Sequence, residues 1–340
     1  MNEKLTVGII GFGKMGSLYL KICQEMEWTI SGIVDPNADT KKKLSIKEIE
    51  IPFFTDITLM LKTVKPDLLI FSSTTSHRFT EFFRATDIYH PKFVLFEKPM
   101  GNSIQKSSQV LQYCQRNNIR FSVNHQMRFM PIYKLMKDLH QKRSYGELLS
   151  LNISAANIGL GTNVTHYFEA FRWIFDSSIE EIYAWLDKEK VSSNRGSQFY
   201  DFSGDIYCRN SLGKSFFISF KAESAHYIIH VYDFEYAKVI INEIDNTGVV
   251  IHRKKEFYDN EKTKYGSPSE TLNLSIEYYD NFLTTREVII NLINDLDYPT
   301  GVHGLEALKA AIASVYSSEF GGIQVHLDNE VNFEGEFNWP

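Results

Sequence analysis

The N-terminal third of the chain consists of short, near-continuous apolar runs separated by amphipathic stretches. The runs are Leu5–Ile10, Trp28–Val34, Ile51–Phe54, Asp67–Phe71, Phe93–Phe96 and Ile119–Val123. Apolar positions on both sides of the pleat mark strands covered on both faces, as in a parallel sheet. Between them, Lys14–Met26, Asn37–Ser45, Ile57–Thr63, Ser76–Ile88 and Ser103–Asn117 carry helical spacing. Lys65-Pro66 and His90-Pro91 punctuate the entries to the fourth and fifth strands. Right-handed crossovers between parallel strands then predict a doubly wound α/β domain over residues 1–123.

The pattern changes after residue 124. Leu148–Ile153, Ile182–Leu186, Phe199–Cys208, Ser215–Ala222 and Tyr227–Phe234 alternate or are rich in aromatic residues, as strands are. Lys238–Asn242 and Val249–Arg253 flank Asp245-Asn246-Thr247-Gly248, a strong turn sequence. Thr162–Phe175, Tyr278–Leu296 and Leu305–Ser318 read as helices. Residues 259–270, polar with Gly266 and Pro268, read as a loop. The second domain, 124–340, is therefore expected to be α+β, with a large open-faced, mostly antiparallel sheet. No low-complexity linker divides the halves, which predicts a rigid two-domain body with a cleft.

Composition excludes several functions. At 340 residues with net charge −6, the chain has no broad basic field for nucleic acid or an anionic membrane surface. No apolar run approaches the roughly 20 residues that span a bilayer. Met1–Lys4 runs straight into the first strand, leaving no room for a signal peptide. Cys23, Cys114 and Cys208 are odd in number and far apart, which fits neither a disulfide framework nor a zinc site. These features together predict a cytoplasmic protein without a bound metal.

The densest chemistry lies at Gly11-Phe12-Gly13-Lys14-Met15-Gly16, between the first strand and the first helix. In this G-x-G-x-x-G pattern Gly11 allows a tight turn, Gly13 lets a pyrophosphate approach the backbone, and Gly16 lets helix and strand pack closely. The helix N-terminus offers N–H groups to the anion. Asp35 ends the second strand, where a carboxylate accepts from a ribose 2′-hydroxyl, so NAD is the expected cofactor. Lys41-Lys42-Lys43 nearby leaves NADP as the alternative. Glu97-Lys98-Pro99 follows the fifth strand, beyond whose carboxyl end ligands gather. A lysine there can reach a substrate oxygen. On the helix 162–175 the apolar residues Phe168, Phe171, Ile174 and Phe175 share one face, and His166 falls roughly opposite. Arg128 and Arg172 are possible substrate-anion contacts. His226 and His230 lie four apart within strand-like sequence and read as sheet-face residues, not as a metal pair.

The combination of Gly11-x-Gly13-x-x-Gly16, Glu97-Lys98-Pro99 and a later helical histidine resembles the Gfo/Idh/MocA family. That family includes glucose–fructose oxidoreductase, inositol dehydrogenase and many nucleotide-sugar dehydrogenases. Ser72-Ser73-Thr74-Thr75-Ser76-His77 is similar to the family's loop under the cofactor, which puts Ser73, Thr74 and His77 beside it, with Glu97 and Lys98. Val123–Pro131, with Arg128-Phe129 and Pro131, is similar to its crossover segment, although Gln126 and Met127 depart from it. Gly301–Leu327 resembles the helix and strand that return toward the nucleotide domain. The resemblance implies hydride transfer between nicotinamide and a sugar, cyclitol or nucleotide-sugar carbon. It places Lys98, Arg128, Thr162, Asn163 and His166 near substrate, and Lys98 and His166 at the reacting carbon. Where the family often has aspartates around this histidine, the chain has Thr162 and Glu169, and Tyr167 stands as an alternative proton donor. The alternative function is a non-catalytic dinucleotide-binding protein. The broad uncovered sheet and the family's habit of pairing such faces imply a homodimer or homotetramer.

Overall fold

The computed structural model describes residues 5–37, 39–40, 51–192, 196, 198–225, 227–261, 267–327 and 335–339. The chain forms two compact units. One comprises Met1–Gln126, Asn281–Leu308 and Glu334–Pro340, the other Met127–Asp280 and Lys309–Phe333.

In the first unit, β1 (Thr6–Ile10), β2 (Thr29–Val34), β3 (Phe53–Phe54), β4 (Leu68–Phe71), β5 (Phe93–Phe96) and β6 (Arg120–Val123) form a parallel sheet. Its order is β3-β2-β1-β4-β5-β6. The apolar runs predicted these strands because β4, for example, is fully buried at Leu68, Leu69, Ile70 and Phe71. The order reverses between β1 and β4, and at such a switch point the crevice beyond the strand carboxyl ends takes ligands. Between the strands run α1 (Lys14–Glu25), α2 (Ile57–Thr63), α3 (Thr75–Thr86) and α4 (Ile104–Arg116). Asp56 caps α2 by accepting from Thr58 N–H at 2.8 Å, and Ser103 caps α4. Edge-on aromatic contacts knit the core under β4–β6: ring centroids of Phe71 and Phe96 lie 5.1 Å apart, and those of Phe96 and Phe121 4.9 Å. The helix expected over Asn37–Ser45, with its lysine run, lies mostly outside the described residues.

The chain rejoins this unit at Asn281, twenty residues before the returning segment that begins at Gly301 in the sequence reading. The helix Asn281–Asn294 and the start of the helix Gly301–Glu319 close the free edge of β6. Arg120 donates to Ile293 O at 2.7 Å, and Val123 N–H to Pro299 O at 3.1 Å. A side chain at Gly301 or Gly304 would collide with Phe121 or Val123.

The second unit begins with a helix absent from the sequence reading, α5 (Pro131–Gln141). Its main sheet contains β7 (Leu148–Ala155), β8 (Ile179–Leu186), β11 (Gly204–Asn210), β12 (Ser215–Phe220), β13 (Ile228–Phe234), β14 (Ala237–Asn242), β15 (Thr247–Arg253), β16 (Ser269–Ser275) and β17 (Val325–His326). The order is β16-β15-β14-β13-β7-β12-β11-β8-β17, with only β7 and β12 parallel. The expected strand Phe199–Cys208 is broken: β10 (Tyr200–Asp201) pairs with β9 (Val191–Ser192), and β11 starts at Gly204. β16 occupies part of the expected loop 259–270 and runs past it. Helix α6 (Thr165–Phe175) packs on one sheet face, Phe171 stacking on Phe216 with centroids 5.5 Å apart. The opposite face carries Tyr183, Tyr207, Phe217, Asn152, Val231, Ile240 and Val249 in one cross-strand row.

Candidate functional site

The three glycines of the first loop have separable duties. Gly11 has φ +84°, and a Cβ there would lie 2.6 Å from Ser73 N; one on Gly16 would lie 2.3 Å from Gly11 O. Both are glycines because the fold has no room for more. At Gly13 an added Cβ meets nothing within 4 Å. The open space lies over the N-terminus of α1, whose first turn has no acidic residue. Phe12 is buried beside it, Met15 half-buried and Lys14 exposed. Space, N–H donors and a positive helix end together fit a pyrophosphate. Asp35 closes the adjoining side. Its carboxylate accepts from Phe12 N–H at 2.8 Å, Asn37 N–H at 2.9 Å and Thr40 Oγ1 at 3.3 Å, which holds it at the end of β2.

The loop after β4 buttresses the glycines. Ser72 Oγ donates to Gly11 O at 2.6 Å. Ser73 Oγ donates to Glu81, a carboxyl that burial pushes above its ordinary range. Thr74 precedes α3 and is hydrogen-bonded to Nδ1 of the exposed His77 at 2.9 Å. Arg78, which the sequence reading did not single out, is 3% exposed and ties two loops together. Its guanidinium donates to Ser73 O at 2.7 Å and to the carbonyls of Glu97 and Pro99. Expected beside the cofactor, the Glu97 side chain is engaged inside the unit, accepting from Tyr19 and from Asn124 Nδ2 at 2.9 Å. Burial and then the Glu97 charge push the Tyr19 phenol well above its ordinary range. Lys98, half-buried, follows this fixed glutamate and precedes Pro99 through a cis peptide.

The second unit holds the remaining predicted residues. Leu160–Val164 winds as one π-helical turn into α6. Thr162, in that turn, binds Asp201 through N–H at 2.8 Å and Oγ1 at 2.6 Å. Asn163 donates from its amide to Ile158 O at 2.9 Å. His166 is 4% exposed, and every residue of α6 except Arg172 is buried. The helix is therefore interior all round, and the expectation of an apolar stripe opposite His166 is corrected: a helix buried on all sides has no polar face.

Arg128 and Tyr167 both lie in the interior. Arg128 is fully buried and ion-paired with the equally buried Glu169, while Arg172 Nη2 stands 3.9 Å from the same carboxylate. Burying an arginine requires such a partner, so the Arg128 guanidinium is engaged in the interior of this unit. The Tyr167 hydroxyl faces a closed cluster instead of a reacting group. It lies 3.3 Å from Glu243 Oε1, which Tyr133 approaches through Oε2 at 2.6 Å and His230 Nε2 at 2.9 Å. Burial and the Glu243 charge push the Tyr167 phenol well above its ordinary range. His230 is thus a buried partner of Glu243, and His226 lies outside the described residues. Among the described residues no group of three or more His, Cys, Asp or Glu could hold a metal ion, and no helix is long and apolar enough to cross a membrane.

Residues 5–125 match the oxidoreductase family with an NAD-binding Rossmann fold, Gfo/Idh/MocA. Over those residues the chain is similar to the Gfo/Idh/MocA family. Its N-terminal domain is the family's NAD-binding domain. The uncharacterized oxidoreductase YrbE of Bacillus subtilis (strain 168) is 25% identical over 199 residues, 54% of this chain and 58% of YrbE. The chain thus aligns with little more than half the length of that relative. Among solved structures, levoglucosan dehydrogenase in complex with NADH matches with a TM-score of 0.79 at 14% identity, covering 96% of this chain and 100% of that one. A super-repressor mutant of Gal80p from Saccharomyces cerevisiae matches with a TM-score of 0.78 at 10% identity, covering 98% and 100%. Likeness at such identity is likeness of fold. The fold serves both a dehydrogenase and a repressor, so activity has to be argued from residues.

Proposed function

We propose that this protein is an NAD-dependent oxidoreductase acting on a secondary alcohol or ketone carbon of a sugar, cyclitol or nucleotide-sugar. The observation that carries this reading is the pairing of an open pyrophosphate cradle at Gly13 with a rigidly held Glu97-Lys98-Pro99 turn at the end of β5. A protein that merely bound a dinucleotide would have no need of a lysine fixed there by Arg78, Tyr19 and Asn124. The nucleotide would lie on the α1 N-terminus, with its ribose hydroxyls on Asp35. When bound, NAD supplies the hydride acceptor or donor. Lys98 would hydrogen-bond the oxygen on the reacting carbon and stabilise the negative charge that grows there. His166 would take the hydroxyl proton in oxidation and return it in reduction. Asp35 would repel a 2′-phosphate at close range, which favours NAD over NADP.

The experiment is a screen of NAD and NADP reduction against free sugars, cyclitols and nucleotide-sugars, followed by variants. Lys98→Ala should lower kcat/KM by roughly 10²–10⁴ while leaving NADH affinity and melting temperature near wild type. His166→Ala should lower kcat/KM over the same range and, being an interior residue, should also lower the melting temperature. Full activity in both variants overturns the proposal.

A further inference from the structure

Asp201, on β10, gathers the turn that leads into α6. Its Oδ1 accepts from Gly161 N–H at 2.8 Å and Phe202 N–H at 2.9 Å; its Oδ2 accepts from Thr162 N–H at 2.8 Å and Thr162 Oγ1 at 2.6 Å. Peptide N–H donors reach both oxygens, so both are acceptors, as in an ionised carboxylate. The residue is 3% exposed. Gly159 makes the room: its φ is +70°, and a Cβ there would lie 2.3 Å from Asp201 Oδ2. A buried charge enclosed this completely has a task in the structure, since taking it out of water is costly.

Part of the task is local. A negative charge at the N-terminal end of α6 complements the helix dipole, and the helix has no acid in its own first turn. A second consequence follows from connectivity. Thr162 stands four residues before His166, and the π-helical turn Leu160–Val164 that Asp201 holds runs directly into the first turn of α6, which carries His166. The other charged groups on or against α6 have partners of their own. Glu169 pairs with Arg128 and stands 3.9 Å from Arg172. Lys137 of α5 meets Asp176 at 2.8 Å. Glu243, under the sheet side, meets His230 at 2.9 Å and the phenols of Tyr133 and Tyr167.

We propose that Asp201 is a positioning residue for His166. It fixes the turn on which the imidazole is mounted, and its charge favours the protonated ring, so that His166 accepts a proton more readily. The proposal rests on the reading of His166 as the proton carrier, but its test does not require a substrate.

The imidazole of His166 can be titrated by NMR in the full-length protein, its resonance assigned by loss in His166→Gln. In Asp201→Asn the His166 midpoint should fall by on the order of one pH unit while the other histidines hold theirs. The exchange Thr162→Asp with Asp201→Asn returns a carboxylate to the same place and should restore the wild-type midpoint. An unchanged His166 midpoint in folded Asp201→Asn overturns the proposal, as does a folded exchange variant that fails to restore it. If Asp201→Asn does not fold, the exchange variant decides. A folded exchange variant titrating as wild type supports the proposal, and an unfolded one makes Asp201 a residue of the fold alone and overturns it. Full turnover in His166→Gln would overturn the catalytic reading separately, whatever the titration gives.

Discussion

Gly13 and Gly16 stand three residues apart in one loop, yet substituting them should fail in different ways. Gly13 has extended backbone and open space where its side chain would be, so Gly13→Val should fold with a melting temperature near wild type. It should lose NADH affinity by at least about tenfold, because the added methyls fill the place of the pyrophosphate. Gly16→Ala meets a backbone carbonyl at 2.3 Å and should destabilise the domain by about 1–3 kcal/mol. Thermal melts and fluorescence titration with NADH separate the two, and equal NADH affinity in Gly13→Val and wild type would refute the assignment of this loop. Such glycines are legible in a sequence because their spacing is the signal. Arg78, Asp201 and Glu243 are not. Each is a single charged residue whose partners come from distant segments, and nothing adjacent in the chain announces them.

At the scale of elements, legibility follows burial. The strands of the first sheet stand out because both of their faces are covered. Strand β16 was hidden because it is almost all exposed and carries only two apolar residues, Leu272 and Leu274, too short an alternation to stand out. Helix α5 follows the irregular segment around Gln126–Phe129 and buries only Ile132, Tyr133 and Met136. Helix α6 misled because a helix buried on every side presents no stripe. Its interior charges make it sensitive to single changes. Arg128→Met leaves Glu169 charged and buried, and should cost about 3–5 kcal/mol in urea unfolding, whereas the double change Arg128→Met with Glu169→Leu should recover much of that loss. A second test concerns pH. Burial alone would raise the Glu243 carboxyl, but the His230 contact and the Tyr133 and Tyr167 hydrogen bonds outweigh it and hold the group below its ordinary range. A carboxyl lowered on folding contributes stability that is complete above its unfolded value of about 4.3 and is lost as pH falls through the folded midpoint. Glu243→Gln should therefore be less stable than wild type at neutral pH, and its stability should fall less steeply below about pH 4. Parallel slopes in urea titrations from pH 6 to 3 would show that Glu243 is not the group responsible.

For the whole molecule, the second sheet poses the clearest question. The row from Tyr183 through Phe217 to Val249 lies on the face away from α6, with Phe217 36% and nearby Trp185 51% exposed. An apolar row of this breadth is the kind of surface that a second copy covers. We expect a homodimer or homotetramer, with Phe217→Asp shifting it toward monomer; light scattering that finds only monomer at micromolar concentration refutes this. The order of assembly is set elsewhere, at β6. That strand is completed by residues 293–304, which the ribosome makes only after the whole of 127–280. Until then a nascent chain carries all six strands of the first sheet with the β6 edge open to mispairing. A chain interrupted in its second unit would therefore leave that edge exposed to other strands.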